Sequence, residues 1–113
     1  AANGDGPRDH PLLKDLDLPP LGMLGRPAPL LTKTLLFLGE SSDAISGIRV
    51  NGNKFRAYDK ANGSVLWETE LSAGVTGAPI TYEYEGRQYI VVAVGSNDDA
   101  AEWVAFALGE AAP

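Results

Sequence analysis

Two short stretches of this chain gather the side chains best suited to chemistry: Glu40-Ser41-Ser42-Asp43 and Ser96-Asn97-Asp98-Asp99, each opening directly after a glycine, Gly39 or Gly95. Carboxylates, hydroxyls and an amide offer hydrogen bonds and hard oxygen ligands, the donor set for a polar organic ligand or a calcium-type cation. Asp98 and Asp99 lack the regularly spaced oxygens of a self-contained calcium loop, so as sequence both stretches also read as ordinary hydrophilic loops. Other chemistries find no candidate set. With no cysteine, a single histidine at His10 and no G-x-S-x-G, nucleophilic hydrolysis has neither nucleophile nor base. His10, with neither a second histidine nor a cysteine nearby, suits a local hydrogen bond beside Asp9 better than a metal. Gly4-Asp5-Gly6 stands alone among prolines with no flanking strand, unlike a phosphate-cradling loop. Glu83 and Glu85 share a strand face by their spacing of two, the mark of a solvated face. No residue is a catalytic group by itself.

The elements that must position these loops read as β. Ala57-Tyr58-Asp59-Lys60-Ala61-Asn62-Gly63-Ser64-Val65-Leu66-Trp67 describes a tight turn between two strands: Asp59 caps it, Asn62-Gly63 supply positive φ, and Val65, Leu66 and Trp67 begin a β-type run. The chain also repeats itself. Ala28-Pro29-Leu30-Leu31-Thr32 followed by Leu35–Gly39 parallels Ala78-Pro79-Ile80-Thr81-Tyr82 followed by Tyr89–Gly95, and Phe55–Tyr58 parallels Trp103–Phe106. The offset of about 50 residues is that of four-stranded propeller units. The pattern predicts strands near 28–32, 34–39, 54–58, 64–71, 78–84, 87–94 and 102–108, giving a four-stranded unit over 28–71 and a three-stranded one over 72–113. The second lacks its outer strand, and the tail Gly109–Pro113 is too short and too rich in Ala and Pro to supply it. Exposed sheet edges and faces follow, and with them association.

Residues 1–27 differ. Pro7, Pro11, Pro19, Pro20 and Pro27 forbid regular structure, apart from a single helical turn over Pro11–Leu16. The segment reads as an arm strapped to a larger body by Leu12, Leu13, Leu16, Leu18 and Leu21.

Composition narrows the partners. A net charge of −6 with nine scattered basic residues disfavours nucleic acid. No apolar run has the length of a membrane span and no signal region opens the segment.

The turn pattern A-x-D-x-x-[TN]-G-x-x-x-W, carried by Ala57, Asp59, Gly63 and Trp67, closely resembles the tryptophan motif of the pyrroloquinoline quinone (PQQ) dependent dehydrogenases, the quinoproteins. Gly4–Pro11, Leu18–Gly22, Thr32–Phe37, Pro79-Ile80-Thr81-Tyr82 and Gly86-Arg87-Gln88-Tyr89 are similar to the C-terminal part of the glucose, quinate and related polyol dehydrogenases of that family. The resemblance implies an all-β fold of antiparallel four-stranded blades in a propeller of about eight blades, of which this chain holds about two. It implies PQQ with calcium on the propeller axis of a complete protein several times longer, in the periplasm, oxidising a sugar, polyol or alcohol. By motif position, Asp43 falls where the family has an acidic residue near the cofactor. Asn97 falls where a polar residue, often His, lies near substrate. Trp67 matches the ring that stacks between neighbouring blades, so its loss is expected to cost stability before activity. Partners would be the remaining blades or another copy of the chain, and this segment alone would neither bind the cofactor tightly nor turn over substrate. The alternative is a cofactor-free propeller-like scaffold that binds protein through its edges.

Overall fold

The computed structural model describes residues 2–4, 10–23, 25–42, 44–45, 48–49 and 52–107, with backbone alone for 44–45 and 48–49. Asp43, Asp9 and the tail 109–113 lie outside the described residues. Those that are described form no α-helix. They form β1 (Leu30–Leu31), β2 (Leu35–Gly39), β3 (Ala44–Ile45), β4 (Ile48–Arg49), β5 (Lys54–Asp59), β6 (Val65–Glu70), β7 (Ile80–Tyr84), β8 (Arg87–Val94) and β9 (Glu102–Ala107). All pairing is antiparallel, in a four-stranded sheet of order β1-β2-β5-β6, a three-stranded sheet of order β7-β8-β9 and a small β3-β4 hairpin between β2 and β5. The seven expected strands are all present, the first only as a two-residue stub, and the β3-β4 hairpin is additional.

Alternation along each strand decides what is buried. Phe37 on β2 and Phe55 and Ala57 on β5 face Val92 and Val94 on β8, and Leu71, Ala73 and Val75 from the connector between the sheets complete the core. Gly39 lets the connector close in: a Cβ there would strike the Val75 side chain. Phe55 stacks on Phe37 with ring centroids 6.0 Å apart and on Phe106 of β9 at 5.9 Å, so one ring joins both sheets.

Trp67 enters the same cleft from β6 and meets Phe106 edge to face at 5.3 Å. It therefore lies between two sheets, as expected of a motif tryptophan, yet 40 % of it remains exposed, and among the described residues β9 is the outer strand of its sheet. The turn that precedes it forms as the sequence implies. Asp59 Oδ1 accepts the Ala61 N–H at 2.8 Å, and Asp59 O accepts the Gly63 N–H at 2.7 Å. Only Gly63 takes the positive φ (76°); Asn62 instead accepts from Ser64. In the β7-β8 turn, Glu85 (φ 52°) and Gly86 (φ 74°) both adopt the left-handed region that two-residue hairpins demand. Glu85 is thus a turn residue, and the expected face shared with Glu83 does not form.

The arm also departs from expectation. A single turn does form over residues 11–15, with Leu12 N–H donating to His10 Nδ1 at 3.2 Å. Leu12, Leu16 and Leu21 are exposed within this chain, and Leu13 and Leu18 are half-buried. The contacts that dock the start of the arm on β5 are polar. Asn3 donates to Gly39 O at 2.9 Å, and its Oδ1 accepts from Arg56 Nη1 at 3.1 Å and from the Tyr58 hydroxyl at 3.0 Å. Alternation puts Arg56 and Tyr58 on the face of β5 away from the aromatic core, and there the arm buries them. Arg56 also pairs with Glu40 at 3.1 Å and Glu68 at 2.6 Å. Burial alone would lower the Arg56 pKa, but the hydrogen bonds and charges of Glu68 and Glu40 outweigh it and raise the pKa. Burial pushes the Tyr58 phenol up, against the pull of Arg56. The hydrogen bonds from Arg56 and Lys54 hold Glu68 below the usual carboxylate range.

Candidate functional site

Both polar stretches of the sequence begin where a core strand ends, β2 at Gly39 and β8 at Val94, so the fold delivers them to the same end of the two sheets. Glu40 is fixed at its backbone and its carboxylate. Its N–H donates to Lys54 O and its carbonyl accepts from Val75 N–H, both at 2.8 Å. Its Oε1 accepts from Lys54 N–H at 3.2 Å while Oε2 holds Arg56. A carboxylate buried in this way serves the frame, since its oxygens are already engaged. Ser41 faces the arm, its Oγ accepting from Arg26 N–H at 3.3 Å.

Ser42 points the other way and reaches the second loop. Its Oγ accepts from Gly74 N–H at 2.8 Å and donates to Gly95 O at 3.3 Å. Gly74 can carry no side chain here, because a Cβ would strike the Ser42 amide. The second loop is shaped by Ser96, whose Oγ accepts from the N–H groups of Asp98 (3.2 Å) and Asp99 (3.0 Å) and donates to Asp99 Oδ2 at 2.7 Å. Asn97 lies at the exposed tip of that turn. No described residue bonds its side-chain amide, which leaves it facing outward as both donor and acceptor.

Among the described residues no three His, Cys, Asp or Glu side chains converge to hold a metal ion. Of the two positions singled out from sequence, Asn97 lies exposed in the turn shaped by Ser96, and Asp43, which follows Ser42, lies outside the described residues.

The family described as "PQQ: Glucose/ethanol/alcohol dehydrogenase, beta-propeller domain" matches residues 1–90. The chain belongs to this family. Among curated relatives, the quinoprotein glucose dehydrogenase of Escherichia coli (strain K12) is 36% identical over 75 residues, 66% of this chain and 8% of that protein. The quinohemoprotein alcohol dehydrogenase of Comamonas testosteroni is 54% identical over 39 residues, 34% of this chain and 6% of its own length. Methanol dehydrogenase [cytochrome c] subunit 1 of Paracoccus denitrificans is 42% identical over 40 residues, 35% of this chain and 6% of that subunit. The chain thus spans less than a tenth of the length of these three quinoproteins.

Membership in the PQQ family gives the two antiparallel sheets their meaning as propeller blades. Sequence reasoning missed Ser42, Gly74 and Gly95 as the residues that join the loops. The available signal was the pair of glycines ending β2 and β8, which marks both strand ends as points of close approach.

Proposed function

We propose that this chain is the C-terminal part of a PQQ-dependent dehydrogenase that oxidises a sugar, polyol or alcohol in the periplasm. In this reading 1–27 is an arm, 28–71 a complete blade and 72–113 a last blade whose outer strand comes from elsewhere in the ring. The observation that carries it, beyond family membership, is that one hydroxyl, Ser42, bonds both Gly74 and Gly95 and so holds the two polar loops together at one end of adjacent sheets. Bound at that end, PQQ would supply two-electron oxidation of the alcohol carbon, with calcium held by other parts of the complete protein. Asp43 would contact the cofactor, and Asn97 would orient the substrate through its outward amide. This segment would contribute positioning, and the remaining blades the acid–base groups.

The test uses the complete polypeptide that carries this segment. Dye reduction with a panel of glucose, quinate and ethanol should require added PQQ and calcium, and Asn97→Ala should raise the KM of the accepted substrate. Asp43→Asn should weaken PQQ binding measured by titration. Dye reduction independent of PQQ, or none with any substrate class, would refute the proposal and favour a non-catalytic propeller scaffold.

A further inference from the structure

The contacts around Ser42 close into a ring. Gly95 N–H donates to Gly74 O at 3.0 Å, Gly74 N–H donates to Ser42 Oγ at 2.8 Å, and Ser42 Oγ–H donates to Gly95 O at 3.3 Å. Each of the three residues donates once and accepts once, and at the Ser42 hydroxyl, where accepting and donating meet at one atom, the bond from Gly74 strengthens the bond to Gly95. The ring ties together the end of β2, the connector between the sheets and the end of β8, which the chain separates by 32 residues from Ser42 to Gly74 and 53 from Ser42 to Gly95. Ser42 contributes the one side chain in it. Gly74 and Gly95 are both buried and take part through backbone alone.

We propose that Ser42 is a positioning residue for the dehydrogenase reaction: its hydroxyl fixes where the Asn97 loop stands relative to the loop Glu40–Ser42. The inference rests on the functional reading above. A hydroxyl suits this role because it donates and accepts at one atom, which neither an alanine nor a backbone group can do. Removing it leaves the Gly74 N–H and the Gly95 carbonyl without that partner in a buried setting, and the base of the Asn97 loop then keeps the Val75–Val94 bridge, with its Gly95 N–H to Gly74 O bond, and the pairing of Val94 with Glu102. A substrate-orienting group displaced from its place binds the ground state and the transition state less well alike, which appears as a raised KM with kcat little changed.

Ser41 provides the control, since its hydroxyl is similarly engaged in the same loop but is tied to Arg26 of the arm instead of the second loop. In the complete polypeptide without cofactor, amide hydrogen exchange over 72–77 and 95–101 should accelerate about tenfold in Ser42→Ala and stay at the wild-type rate in Ser41→Ala. With PQQ bound, Ser42→Ala should raise the substrate KM about tenfold with kcat within about twofold, again unlike Ser41→Ala. Ser42→Cys, nearly isosteric but a weaker donor and acceptor, should move both readouts in the same direction by less, and it carries the test if the alanine variant does not fold.

Wild-type exchange over 95–101 in the Ser42 variants would overturn the clamp, showing that the Val75–Val94 bridge suffices. Faster exchange with unchanged KM and kcat would overturn the positioning role. Failure of the wild-type protein to show PQQ-dependent oxidation would instead refute the functional reading, and the exchange measurement would still decide whether Ser42 clamps the loops.

Discussion

Replacing Trp67 with alanine tests how much the cleft between the two sheets contributes to stability. Removing a fully buried tryptophan or phenylalanine costs about 3–5 kcal/mol. Trp67 is 40 % exposed, so roughly three-fifths of that sum applies, or about 2–3 kcal/mol. Its edge-to-face contact with Phe106 at 5.3 Å and the longer one with Phe55 at 6.1 Å fall inside this figure, since the burial they accompany is already counted. With a urea dependence of about 1.5 kcal/mol per molar, typical of small domains, the unfolding midpoint should fall by about 1–2 M. Far-UV circular dichroism should follow the transition, because the substitution removes a fluorophore and leaves only the exposed Trp103. A midpoint shift below about 0.3 M would mean that Trp67 contributes almost nothing to holding the two sheets together.

Three further outcomes are expected. Arg56→Met leaves Glu40 buried without its cation and should destabilise by about 3–5 kcal/mol, with Arg56→Met/Glu40→Gln recovering much of the loss in the same urea titration. Glu68 has a folded pKa below its unfolded value, so its contribution is present above the unfolded pKa and is lost as pH falls through the folded one. Glu68→Gln should therefore flatten the decline of melting temperature with acidification below about pH 5, by a small amount because the carboxylate is partly exposed. The isolated chain should self-associate through the β9 edge and the face bearing Ile80, Tyr82 and Trp103; light scattering should show its mass rising with concentration, and Trp103→Glu should lower it.

Local rules made most of the fold legible. The turn before Trp67 was readable because Asp59 and Gly63 act within five residues of each other, and the strands because alternation and the internal repeat agree. What escaped the sequence is long-range. Arg56 sits between Phe55 and Ala57 in a strand, where period two gives it the opposite face and therefore apparent exposure; only the docked arm buries it. The leucines of the arm are apolar enough to suggest packing, yet the anchor is Asn3, whose partners on β5 lie 53 and 55 residues away. Glu85 looked like a strand residue because its identity carries no turn signal, whereas its neighbour Gly86 does. At the candidate site, composition and family resemblance drew attention to Asn97, while the Ser42 ring depends on two glycine backbones that no residue type announces.

The anchoring of Asn3 has a consequence in time. Asn3 leaves the ribosome before Arg56 and Tyr58, and at about 5–20 residues per second the chain needs roughly 3–10 s to make the 53 residues between Asn3 and Arg56. Until then the Asn3 side-chain carbonyl lacks both of its β5 donors. The meander of β2, β5 and β6 pairs neighbours close in sequence and can form first, so arm docking is a late, loop-closing event. Substitutions at Asn3 should accordingly speed unfolding while leaving the folding rate nearly unchanged, the kinetic signature of a clasp fastened after the garment is on.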